Sequence, residues 1–116
     1  MRYLVLFFLL LSPLFSISQG ICEGSSELCV VHFNASFNSA NSVGWYGELT
    51  DCSISDVDIM TQSDLQKKYK IVVVPTILIF NGEEEVGRFQ ANIMMKMEAT
   101  KDEVQEKIDE IIMEDF

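Results

Sequence analysis

Residues 69–80 read Tyr69-Lys70-Ile71-Val72-Val73-Val74-Pro75-Thr76-Ile77-Leu78-Ile79-Phe80. Thr76 to Phe80 is a short, unbroken apolar run rich in β-branched residues, the pattern of a strand buried on both faces. Pro75 opens that run, an unusual place because proline removes a ladder donor. Asn81-Gly82 comes next, a strong hairpin signal, and a return strand is expected from about Glu84 to Phe89. The acidic run Glu83-Glu84-Glu85 fits a solvated hairpin. Thr100 followed three residues later by Glu103 forms a capping box. Val104, Ile108, Ile111 and Ile112 then recur at i, i+4, i+7 and i+8, one apolar stripe of a helix packed on a sheet.

Upstream of the stretch, Gln62 to Tyr69 holds helix formers and ends in Lys67, Lys68 and Lys70, a basic cluster suited to a helix C-terminus. Ser53 to Asp58 reads as a strand around Ile54 and Val57. Leu28 to Phe33 is another nearly continuous apolar run, again a buried strand. Between these strands, Asn34 to Thr50 is polar, with Phe37, Val43, Trp45, Tyr46 and Leu49 scattered through it. A helix is expected there against Gly44 and Gly47, each of which costs ~1 kcal/mol inside one. The order is strand, helix, strand, helix, strand, hairpin strand, helix. It predicts an α/β protein, a three-layer α/β/α sandwich around a mixed central sheet.

The N-terminus reads as a targeting segment. Arg2 precedes the apolar run Tyr3 to Leu11, Pro13 breaks it, and Ser16-Ile17-Ser18 offers small residues to a signal peptidase. An uncleaved anchor would need ~20 apolar residues, more than the run supplies. The expectation is a cleaved signal peptide at 1–18, a single domain at 19–116, and an exported protein, periplasmic or secreted. No membrane insertion is expected after cleavage. The full chain has 8 bases against 18 acids, a net charge of −10. Losing Arg2 leaves 7 against 18, or −11, which argues against nucleic acid and anionic membranes as partners.

The three cysteines are Cys22, Cys29 and Cys52. Export permits a disulfide, and the odd count leaves at least one thiol over. All three are disulfide candidates, while Cys29 alone reads as a small buried apolar residue. Their spacings match no zinc pattern and His32 is the only histidine, so neither a metal nor another cofactor is expected.

The Lys-Ile-Val-Val-Val-Pro-Thr segment, the hairpin and the final amphipathic helix resemble the thioredoxin family. The similarity spans roughly Leu28 to Ile112. It implies a thioredoxin-like fold in which Pro75 is cis and borders the functional site. The resemblance also aligns Phe37-Asn38-Ser39-Ala40-Asn41 with the family's Trp-Cys-x-x-Cys, so Asn38 and Asn41 stand where the two thiols should be. An asparagine amide can neither attack a disulfide nor resolve a mixed one. His32 occupies the place of the family's buried carboxylate. With no catalytic partner near it in sequence, it reads as a hydrogen-bonded core histidine. Cys29 and Cys52 fall at the N-terminal ends of their strands, opposite the end where open α/β sheets place ligands. Asn34-Ala35-Ser36 has the form of a glycosylation sequon but closes a buried strand.

The methionine-rich Ile93-Met94-Met95-Lys96-Met97 segment suits either an adaptable binding surface or plugs beneath the last helix. The reading that combines these features is a redox-inactive, non-enzymatic module that binds a peptide or protein partner. Its groove is assembled from Phe37, Asn38, Val74, Pro75, Met94, Met95 and Met97, with Val74 offering its free backbone groups to an extended strand. The alternatives are a thiol–disulfide oxidoreductase using the non-motif cysteines and an accessory structural subunit.

Overall fold

In the computed structural model, Cys22 and residues 27–114 are described. The segment read as a signal peptide, residues 1–18, lies outside them, as does Gln19, the expected first residue after cleavage. Four strands form one mixed sheet: β1 (Leu28–Asn34), β2 (Cys52–Asp58), β3 (Thr76–Asn81) and β4 (Glu84–Gln90), in the order β2-β1-β3-β4. β1 runs parallel to β2 and antiparallel to β3, and β3 runs antiparallel to β4.

Side-chain alternation along β1 sorts the core into two layers. Cys29, Val31 and Phe33 meet Leu78, Phe80 and Val57 on one face, where Leu65 of helix α1 (Ser63–Lys68) and the following Tyr69 close the layer. Leu28 and Val30 meet Ile77 and Ile79 on the other, beneath Val104, Ile108 and Ile111 of helix α2 (Lys101–Glu114). The predicted three-layer α/β/α arrangement is therefore the one observed. Central β1 is buried along its whole length, which is why its sequence is a continuous apolar run and not an alternating one.

The capping box forms at the start of α2. The Glu103 amide donates to Thr100 Oγ1 at 3.2 Å, and the Thr100 amide donates to Glu103 Oε1 at 3.3 Å. The hairpin is tight, but its two loop residues are Gly82 and Glu83, because Asn81 still pairs with Glu84. Gly82 takes the positive φ of 67° that the first loop position requires.

The helix expected between Asn34 and Thr50 is absent as an α-helix. Two 3-10 pieces stand in its place, Ser36–Asn41, kinked at Asn38, and Tyr46–Glu48. Gly44 between them, Gly47 inside the second and the shortage of apolar residues at helical spacing leave too little to hold a longer helix. Val43 and Leu49 still anchor the segment in the α2 layer. Gln105 pins its end, accepting from the Thr50 amide at 2.9 Å and donating to the Thr50 carbonyl at 3.1 Å.

Candidate functional site

β1 and β2 end side by side, with Asn34 paired to Asp58. Beyond those ends, the 3-10 piece, the chain leading into β3 and the loop after β4 converge. Together they frame a cleft of about 420 Å³ lined by Phe37, Ile59, Met60, Gln66, residues 71–74, Asn92, Ile93 and Met95. Several of its apolar side chains face solvent: Phe37 is 65% exposed, Val72 77% and Ile93 96%. Buried core does not explain these residues. An apolar surface gathered in one concavity is the usual mark of a binding site.

Asn38, expected in the groove, does not line the cleft but lies beneath it, bonded to the backbone of two residues that do. Its side chain is buried, and Nδ2 lies 3.2 Å from Asn34 Oδ1, 3.2 Å from the Met95 carbonyl and 3.4 Å from the Val74 carbonyl. Asn41 Nδ2 donates to Asn38 Oδ1 at 2.9 Å. Asn34 in turn donates to the Asn38 carbonyl at 3.1 Å and to Ser42 Oγ at 3.0 Å. This network fixes which end of each amide is nitrogen, since a flipped Asn38 would set its oxygen against three other oxygens. Among the described residues, no buried side-chain polar atom lacks a partner.

The loop after β4 folds on Asn92. Its Oδ1 accepts from the Met94 and Lys96 amides, at 2.9 and 3.1 Å, and its carbonyl accepts from the Met95 amide at 3.0 Å. Met95 sits in the left-handed region, with φ 62°, where a side chain costs ~1–2 kcal/mol. The turn around Asn92 and the Asn38 contact hold it there.

Besides the place of Asn38, four sequence assignments need correction. Pro75 is fully buried and forms no wall, although the Val74–Pro75 peptide is cis; Val72 and Val73 stand in its place. The Val74 carbonyl is only partly free, since it already accepts from Asn38 at 3.4 Å and keeps one further lone pair. Met97 packs into the α2 layer on the other side of the sheet, so it is one of the plugs. Met94 is exposed on the loop but does not line the cleft. Phe37, Val74 and Met95 do line it. Ile59, Met60, Val72 and Val73 escaped the sequence reading. Four apolar residues directly before Pro75 were the available signal, since a turn cannot bury all of them.

The cysteines lie at the far end of the sheet. Cys22 and Cys29 form a disulfide and Cys52 is free, so Cys29 is not a lone buried thiol and Cys52 is not in a disulfide. Cys29 faces the α1 layer and Cys52 the α2 layer. Seven residues of strand, ~20 Å, separate Cys52 from the cleft end of β2. Burial, followed by the charges of Glu27 and Asp51, pushes the Cys52 thiol up to about 11. Among the described residues no group of His, Cys, Asp or Glu has the arrangement of a metal site, and no helix is long and apolar enough to cross a membrane.

No protein-family model matches the sequence, and no curated protein does. Solved structures do match. Reduced Schistosoma mansoni thioredoxin pre-protein superposes with a TM-score of 0.61 at 23% identity, over 75% of this chain and 81% of that one. A second S. mansoni thioredoxin structure gives 0.60 at 22% identity, over 87% and 85%. Thioredoxin NaTrxh from Nicotiana alata gives 0.56 at 24%, over 75% of each. The chain has a thioredoxin-like fold. At these identities the likeness concerns the fold, and function has to be argued from the site.

Proposed function

We propose that this chain is an exported thioredoxin-like protein without thiol–disulfide chemistry, which holds apolar side chains of a peptide or protein partner in the cleft beyond β1 and β2. The observation that carries the reading is the exchange made at the site. Asn38 and Asn41, which the resemblance aligns with the family's two thiols, meet through their amides, and Asn38 bonds to the carbonyls of Val74 and Met95, two residues that line an exposed apolar cleft. Such a site has no nucleophile, yet it retains the means to bind. Export rests on the apolar N-terminal run.

The disulfide favours one other reading, thiol–disulfide exchange at Cys22–Cys29 with Cys52 as the attacking thiol. Against it stand the opposite sheet faces of Cys29 and Cys52 and the raised pKa of the Cys52 thiol. Reduction of an insulin-type disulfide substrate separates the two. The binding reading expects no turnover above the buffer rate. Turnover abolished in Cys52→Ser would overturn it in favour of exchange.

A further inference from the structure

Three backbone segments meet at the cleft, and the ties between them are unequal. At their base, the Ala91 amide donates to the Pro75 carbonyl at 3.0 Å, which joins the β4 exit to the turn before β3. Closer to the lining residues, the described bonds between the walls run through one buried side chain. Asn38 Nδ2 faces the Val74 carbonyl on one wall and the Met95 carbonyl on the other, from 36 and 57 residues away in sequence. We infer that Asn38 is a positioning residue, a clasp whose amide hydrogens set the distance between the Val72–Val74 wall and the Ile93–Met95 wall.

The chemistry of position 38 supports this role. Two amide hydrogens serve three acceptors, so the group is shared among them and anchored from behind by Asn41. Few side chains can replace it. Alanine offers no donor, a carboxylate would face three oxygens, and a thiol brings one weak hydrogen for two walls. The clasp is also buried, at 6% exposure, where a lost partner is felt in full. A cleft held at one width is preorganised, which saves the ordering cost of binding and narrows the choice of guest.

This inference rests on the cleft being a binding site, and the experiment keeps the two apart. Backbone amide exchange is followed by NMR in the full chain, in Asn38→Ala and in Asn38→Asp. Binding of the apolar dye 1-anilinonaphthalene-8-sulfonate is measured alongside. The clasp predicts at least tenfold faster exchange at Met94, Met95 and Lys96 in both variants, with Val30, Val31, Ile77 and Ile79 unchanged. Dye affinity should fall several-fold in the variants. A side chain that merely supported the fold would speed exchange at the core and the loop alike, which would overturn the clasp, as would unchanged exchange at 94–96. Should both variants unfold, Asn41→Ala decides, because it removes only the anchor behind the amide. Faster exchange confined to 94–96 then supports the clasp, and none refutes it. If the unmodified protein fails to bind the dye while the exchange pattern appears, the binding reading falls and the clasp stands.

Discussion

His32 Nδ1 lies 2.8 Å from Asp56 Oδ1, while the Val43 amide reaches His32 Nε2 at 3.3 Å. A backbone N–H can only donate, so Nε2 carries the lone pair and Nδ1 the proton. The neutral ring stacks on Tyr46 at 4.4 Å and ties β1 to β2 and to the segment that replaces a full helix. In ¹⁵N NMR at pH 8, Nε2 should show the pyridine-type resonance and Nδ1 the pyrrole-type one. His32→Leu should lower stability by about 1–3 kcal/mol, since it strands the Val43 N–H in a buried site. Urea denaturation measures the loss.

Cys52 carries a prediction about pH. Its thiol is raised from an ordinary value of 9.0 to about 11, first by burial and then by Glu27 and Asp51. The folded state thus holds the proton more firmly than the unfolded chain does. Its contribution to stability is fully present below the ordinary value of 9.0 and is lost as pH rises toward about 11. Only the thiolate reacts, so iodoacetamide at pH 8 should label Cys52 about a hundredfold more slowly in the folded protein than in urea. Equal rates would place the thiol in a different environment.

Much of this architecture was legible in the residues themselves. Buried strands announced themselves at Leu28 to Phe33 and Thr76 to Phe80, because a strand covered on both faces must be apolar throughout. The Thr100–Glu103 box and the stripe from Val104 to Ile112 fixed the last helix for equally local reasons. The site was legible only in part. That Asn38 would cap two distant carbonyls depends on Met95 turning through a positive φ, which no periodicity encodes. Met97 was placed with its neighbours by adjacency, yet two residues past Met95 the chain has crossed to the α2 layer.

Asn38 and Asn41 test the alignment of the site. Their side-chain amides already meet at 2.9 Å. Asn38→Cys combined with Asn41→Cys should therefore oxidise to an intramolecular disulfide, seen as a loss of two hydrogens by mass spectrometry. Two sulfurs that cannot be oxidised to each other would show that this segment is misaligned with the family's motif.

Met95 separates binding from folding. Met95→Gly removes a cleft wall and relieves the left-handed conformation, worth ~1–2 kcal/mol before the extra backbone entropy of glycine is counted. Thermal stability should hold or rise slightly while apolar dye binding weakens. Phe37→Asp, at a position 65% exposed, should likewise weaken binding and shift stability by no more than ~0.5 kcal/mol. A large fall in Tm in both variants would assign these side chains to the core.

The most direct test of the central claim is an amide chemical-shift titration with a mixed library of neutral, blocked pentapeptides carrying apolar central residues. Binding at the cleft predicts saturable shifts confined to Phe37, Ile59, Met60, residues 71–74 and Asn92 to Met95, with Cys29 and Cys52 unmoved. No saturable shift, or shifts gathered at the Cys29 and Cys52 end of the sheet, would contradict it.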